Sequence, residues 1–181
     1  MNSQIRKRLV RFYNVYDSNG DGVITQADAE KSLNNLAALR NYKKGSAEYE
    51  SFRAGFLVYW NDLLKAVDAD QNSEITLEEW LIYHEQLIKN EHKAMQTVLP
   101  SVFAMFDVVD VDGNGSISMN EYKDFMIAFG VPDKWIGDEV FDKLDVNKAG
   151  SISRKELGEL VDQMYFNPDP KCPGNFLFGV L

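Results

Sequence analysis

Apolar residues recur at helical spacing in eight stretches of the 181-residue chain. Four stretches, RLVRFYNVY, YWNDLLKAV, PSVFAMFDVV and DEVFDKL, each run into a polar segment of twelve residues. Four more, DAEKSLNNLAALR, EWLIYHEQLI, EYKDFMIAF and ELGELVDQMYF, lead out of those segments. The pattern predicts a helix on each side of four polar loops. Phe103, Phe106, Tyr122, Phe125, Phe141, Leu157 and Leu160 fall on the inward stripes. Their expected role is plain core.

The four polar segments align without gaps: DSNGDGVITQAD (17–28), DADQNSEITLEE (68–79), DVDGNGSISMNE (110–121) and DVNKAGSISRKE (145–156). Each opens on Asp, has Asp or Asn third, isoleucine eighth, a hydroxyl ninth and an acid last. A hard divalent cation explains this spacing. Calcium takes ~6–8 oxygen ligands at ~2.3–2.6 Å, and a twelve-residue loop can aim positions 1, 3, 5, 7, 9 and 12 at one ion. Position 7 supplies its carbonyl, and position 6 needs the positive φ that glycine adopts freely. The eighth-position isoleucines, Ile24, Ile75, Ile117 and Ile152, belong to short strands that pair one loop with another. Four repeats in one register, each between amphipathic segments, resemble the EF-hand superfamily.

The loops are not equal. The third fills every position: Asp110, Asp112, Asn114, Ser116 by its carbonyl, Ser118 and Glu121, with Gly115 at the turn. The first offers Asp17, Asn19, Asp21, Val23 by its carbonyl, Thr25 and Asp28. Aspartate is one methylene shorter than the usual glutamate, which favours a tighter cage and admits Mg²⁺ beside Ca²⁺. The second offers Asp68, Asp70, Asn72, Glu74, Thr76 and Glu79, but Ser73 stands at the turn position. The fourth has Ala149, without oxygen, at its fifth position, and Lys148, Arg154 and Lys155 add positive charge. It is expected to hold its partner loop in shape rather than bind.

Charge and composition agree with cation binding. Net charge is −9, which three bound Ca²⁺ would reduce to −3. An acidic chain disfavours nucleic acid and anionic membrane as main partners, and no apolar run approaches the length of a span, so no stable membrane insertion is expected. The single cysteine, Cys172, excludes an internal disulfide and points to a reducing compartment. The N-terminal stretch has no apolar core of a signal peptide, so the expected location is the cytoplasm. No phosphate-cradling glycine loop, nucleophile with a base, or zinc spacing is present, and no enzyme activity is expected.

Loop starts at 17, 68, 110 and 145 leave gaps of 51, 42 and 35 residues. The long first gap predicts an extended outgoing helix, a turn near Lys44–Gly45 and a long incoming helix ending at Val67. The middle gap leaves no free linker, and Pro100 is expected to open the next helix. The reading is therefore an all-α fold with four loops in two closely packed pairs. Residues 1–93 and 94–166 hold one pair each, and 167–181 form an apolar tail packed on a compact monomer. Phe176, Leu177, Phe178, Val180 and Leu181 would carry that tail.

The stretched first pair, Asp28, the degenerate fourth loop and the ending NPDPKCPGNFLFGVL resemble the invertebrate sarcoplasmic calcium-binding protein and calexcitin group. That resemblance implies a compact two-lobed protein binding about three calcium ions in its first three loops. The expected function is a buffer in which Mg²⁺ competes, most of all at the first loop; that reading rests on the Mg²⁺-tolerant loop and on a tail that could cover any groove. The alternative is a calexcitin-like sensor that binds a membrane or channel target. For that role Met95, Met105, Met119, Met126, Met164 and the basic run Arg6, Lys7, Arg8 and Arg11 are available. The run is expected to be a solvated helix face. Trp60, Trp80, Tyr83, His84 and Trp135 could instead surround a ligand cavity, as in related photoproteins. Ordinary core is the expectation for the aromatics, and partial exposure for His84 and His92.

Overall fold

The computed structural model describes residues 1–132 and 135–179. Among them are eight α-helices: α1 (Ser3–Tyr16), α2 (Gln26–Leu39), α3 (Ala47–Val67), α4 (Leu77–Leu87), α5 (Glu91–Val109), α6 (Met119–Ala128), α7 (Asp138–Leu144) and α8 (Arg154–Phe166). Four short strands interrupt them: β1 (Val23–Ile24), β2 (Ile75–Thr76), β3 (Ser116–Ser118) and β4 (Ser151–Ser153). β1 pairs antiparallel with β2, setting Ile24 against Ile75. β3 pairs antiparallel with β4, setting Ile117 against Ile152.

The loops start and stop the helices themselves. The first Asp of each loop closes the incoming helix: Asp17, Asp68, Asp110 and Asp145 donate their amides to Tyr13, Leu64, Phe106 and Phe141 four residues back. The hydroxyl and acid that end each loop open the outgoing helix as an N-cap and its third residue. Thr76, Ser118 and Ser153 accept from the amides of Glu79, Glu121 and Glu156. The same hydroxyls donate back to those carboxylates at 2.7–2.8 Å.

The two pairs pack closely against one another. Asn35 Nδ2 donates to the Ala128 carbonyl at 2.6 Å, and Arg40 donates to the Asp110 carbonyl at 2.7 Å. Leu9, Trp80, Phe106, Met126, Phe141 and Tyr165 belong to one continuous core drawn from both pairs.

Several expectations change. First, α2 stops at Leu39, because Asn41 takes a positive φ of 56° and Tyr42 bonds back to the Ala37 carbonyl. The turn through Gly45 and the end of α3 at Val67 follow the pattern. Second, Pro100 lies inside α5 rather than at its start. Asn90 caps that helix by accepting from the Lys93 amide at 2.9 Å. Buried Ala94 on one side of the proline and Phe106 on the other hold the helix through the missing hydrogen bond. Third, Arg8 and Arg11 are not on a solvated face.

Arg8 is 2% exposed. Its guanidinium donates to the carbonyls of Gln163, Met164, Asn167 and Asp169, to Asn175 Oδ1 and to Cys172 Sγ, at 2.6–3.3 Å. A cation at the C-terminal end of α8 satisfies carbonyls that the helix leaves open and complements the helix dipole. Arg11 donates to the carbonyls of Asn175 and Gly179. Together they strap the tail to α1. Within the tail Pro173–Phe176 forms a 3-10 turn, and Leu177 is buried. Phe178 stacks on Phe12 with centroids 4.4 Å apart. Val180 and Leu181 lie outside the described residues.

The aromatics divide. Trp60 and Trp80 are core, Trp80, Tyr83 and His84 also line a cavity, and Trp135 is exposed. His84 is 3% exposed, against the expected partial exposure, because it faces inward from α4 onto Trp80 and Tyr165. His92 is exposed.

Candidate metal centres

Each loop folds around its first carboxylate. Asp17 accepts from the amides of Gly20, Asp21 and Gly22; Asp68 from Asn72 and Ser73; Asp110 from Asn114 and Gly115; Asp145 from Ala149 and Gly150. The third-position side chain then accepts from the fifth-position amide: Asn19 from Asp21, Asp70 from Asn72, Asp112 from Asn114, Asn147 from Ala149. The fifth-position oxygen accepts from the seventh amide: Asp21 from Val23, Asn72 from Glu74, Asn114 from Ser116. These bonds turn successive side-chain oxygens toward one centre. Ala149 cannot make the last of them, so the fourth loop lacks that oxygen.

Two loops assemble an acidic cluster. Asp68, Asp70 and Glu79 bring carboxylate oxygens within 4.8 Å of one another, as do Asp110, Asp112 and Glu121. The twelfth-position glutamate is placed identically in both. Glu79 accepts from the Ala69 amide at 3.0 Å and from Thr76, and Glu121 accepts from the Val111 amide at 2.8 Å and from Ser118. Burial pushes both carboxyls up, but the hydrogen bonds from Thr76 and Ala69, and from Ser118 and Val111, outweigh it. Both groups are held below the usual glutamate range. A carboxylate kept ionised beside two others suits a divalent cation.

The first loop differs at its end. Asp28 is 2% exposed and accepts from the Thr25 amide and hydroxyl at 3.0 and 2.8 Å. Where the glutamates reach the second-position amide, the shorter Asp28 accepts from the Ser18 hydroxyl at 3.0 Å. Its oxygens do not join Asp17 and Asp21 in a cluster of the second and third loops' kind. In the fourth loop Glu156 accepts from the Asn147 amide at 3.4 Å, one residue further along than in the second and third.

The turn position is geometrically uniform. Gly22, Gly115 and Gly150 have φ of 94°, 85° and 82°, and Ser73 has φ of 69°. Ser73 therefore adopts the loop's conformation despite its Cβ.

The EF-hand family model matches residues 104–126 and 136–161, the segments around the third and fourth loops. The sarcoplasmic calcium-binding protein alpha-B and -A chains of Penaeus sp. are 25% identical over 185 residues, covering 97% of this chain and 94% of theirs. The luciferin-binding protein of Renilla reniformis is 31% identical over 184 residues, covering 98% and 94%. The chain spans 64% of the length of an uncharacterized calcium-binding protein of Caenorhabditis elegans, 27% identical over 165 residues. Among solved structures, the calcium-loaded apo form of coelenterazine-binding protein from Renilla muelleri aligns with a TM-score of 0.73 at 27% identity, over 99% of this chain and 100% of that one. These relatives are binding proteins, not enzymes. Four loops in two strand-paired couples, acidic clusters at 68–79 and 110–121, and matches along nearly the whole chain place it in the EF-hand family, among proteins of the sarcoplasmic calcium-binding type.

Proposed function

We propose that the chain is a cytosolic, monomeric Ca²⁺/Mg²⁺ buffer with three working sites. The ligands are those of loops 17–28, 68–79 and 110–121, and loop 145–156 serves as a structural partner. Residues 1–93 and 94–166 act as two lobes under the tail at 167–181. The observation that carries the reading is the chain of side-chain oxygens bonded to successive loop amides, complete in three loops and broken at Ala149. Mg²⁺ enters most readily at 17–28, where the short Asp28 supplies less reach for a bidentate contact.

The buffer reading is favoured over the sensor by the tail and the methionines. Arg8 and Arg11 strap the tail down, Met126 and Met164 are buried, and Met95, Met105 and Met119 pack on the core. A sensor needs such groups to present a surface. Among the described residues, no helix is long and apolar enough to cross a membrane.

Calorimetric calcium titration with and without millimolar Mg²⁺ tests the proposal. Three equivalents are expected, with Mg²⁺ weakening at least the first loop's share. Fewer than two equivalents at micromolar free calcium would end it. A calcium-dependent rise in hydrophobic dye binding would favour the sensor instead.

A further inference from the structure

The first loop pair contains a hydrogen-bonded link that the second pair lacks. Tyr13, on α1, is 2% exposed. Its hydroxyl lies 2.8 Å from the Gly22 carbonyl oxygen of the first loop and 3.0 Å from the Ile75 carbonyl oxygen of the second. Both carbonyls only accept, so a single hydroxyl proton serves two loops.

Each carbonyl belongs to a peptide whose N–H holds a proposed ligand. The Gly22–Val23 peptide donates through the Val23 amide to Asp21 Oδ1 at 3.1 Å. The Ile75–Thr76 peptide donates through the Thr76 amide to Glu79 Oε2 at 2.9 Å. A peptide unit is planar, so fixing its oxygen also fixes its N–H. The bonds therefore run unbroken from Asp21 through Tyr13 to Glu79. Bonds in such a run polarise one another. Val23, whose own carbonyl is the proposed seventh-position ligand, follows directly on the peptide that Tyr13 holds.

The hydroxyl is peculiar to this place in the chain. The Tyr13 carbonyl accepts from the amide of Asp17, the first residue of the first loop. The residues that do the same for the other loops are Leu64, Phe106 and Phe141, which have no hydroxyl. Strand pairing is common to both pairs, since β3 and β4 pair as β1 and β2 do. The difference follows the ligands. Both loops of the first pair carry an oxygen at the fifth position, whereas the second pair includes Ala149. A link between sites has a use only where both fill.

We propose that the Tyr13 hydroxyl is a positioning group that couples the first and second sites, so that an ion in either loop raises the affinity of the other. A cation that draws on Asp21 or Glu79 sets the peptide beside it, and the shared hydroxyl imposes that setting on the partner peptide. The coupling is reciprocal, as linkage requires. It rests on loops 17–28 and 68–79 both being working sites.

The test is calcium titration of the full chain followed by NMR. The amides of Gly22, Ser73 and Gly115 report the first, second and third loops, because each donates to the first carboxylate of its own loop. Asp70→Lys, at an exposed position, removes a ligand and brings positive charge to the cation, so the second loop stays empty. That change should weaken the first site about fivefold more in the parent than in Tyr13→Phe, the worth of one buried hydrogen bond. The added charge and the strand pairing act in both chains and cancel. Gly115 should report the same affinity with and without the hydroxyl. A ratio below about twofold, or a third site weakened as much as the first, would overturn the proposal. If Tyr13→Phe does not fold, Asp70→Lys alone decides. Calcium entering its first loop should then shift both the Tyr13 ring carbon that bears the hydroxyl and the Thr76 amide of the empty loop, and an unmoved pair would overturn the coupling. A Ser73 amide that never responds in the parent would remove the second site, and the coupling with it. Responses at both loops without the fivefold ratio would remove the coupling alone.

Discussion

Ser73→Gly isolates the backbone strain of the second loop. At the turn position Ser73 has φ of 69°, where the glycines of the other loops have 82–94°. A side chain in the left-handed region costs about 1–2 kcal/mol through the clash of Cβ with the following carbonyl. Glycine relieves that strain but enlarges the conformational freedom of the unfolded chain, which takes back about 0.4–1 kcal/mol. The native hydrogen bond is untouched, because the residue 73 amide still donates to Asp68 Oδ2, now at 2.9 Å. The net expectation is a gain of roughly 0.5–1 kcal/mol. With a urea slope of about 2 kcal/mol/M, the midpoint should rise by roughly 0.2–0.5 M at constant slope. Gly115→Ser is the mirror experiment. A Cβ there meets nothing within 4 Å, so only the φ of 85° resists it. It should lose a similar amount. Both are measured in chelator and again in calcium. If Ser73→Gly leaves the midpoint unchanged or lowers it while Gly115→Ser is neutral, the turn position carries no strain and the reasoning fails.

The remaining expectations concern the sites, the tail and the buried imidazole. Glu121→Gln removes the glutamate that closes the third cluster, so calorimetry should count one calcium equivalent fewer; an unchanged count would remove 110–121 from the working sites. Ala149→Asp restores the missing fifth-position oxygen and should add a weak equivalent; no gain would mean that the neighbouring Lys148, Arg154 and Lys155 silence the loop by themselves. Arg8→Met leaves several buried carbonyls without a donor and should destabilise the chain by about 3 kcal/mol in urea unfolding. A loss below about 1 kcal/mol would mean that water takes over the strap. His84 is held neutral by burial, with a pKa of about 4 against 6.5 when free. Between those values the unfolded chain binds a proton that the folded chain refuses. Stability is therefore complete above pH 6.5 and falls toward pH 4, by up to roughly 3 kcal/mol. His84→Leu should flatten that part of the pH profile, and a profile identical to the parent's would refute the assignment.

The loops were legible in the sequence because each is a local device. Twelve contiguous residues carry the ligands, the turn and the caps, and the bonds from loop amides to the carboxylates of Asp110, Asp112 and Glu121 join residues at most ten apart. Such spacing needs no knowledge of the rest of the chain. The pairing of Ile24 with Ile75 and of Ile117 with Ile152 follows from the same repeat. The contrast between Asp28 and the glutamates was also readable, since a missing methylene is a covalent fact. What escaped was set by contacts between distant segments. Arg8 reads as one more base on a solvated helix until the end of α8 and the tail, more than 150 residues away, bring carbonyls to it. His84 reads as half-exposed until α1 and α8 close over α4. Pro100 reads as a helix start because its missing N–H is a local signal, while the packing that carries α5 through it is not. The cavity belongs to no segment at all. It is the space left where helices from both pairs fail to meet, and only their mutual placement creates it.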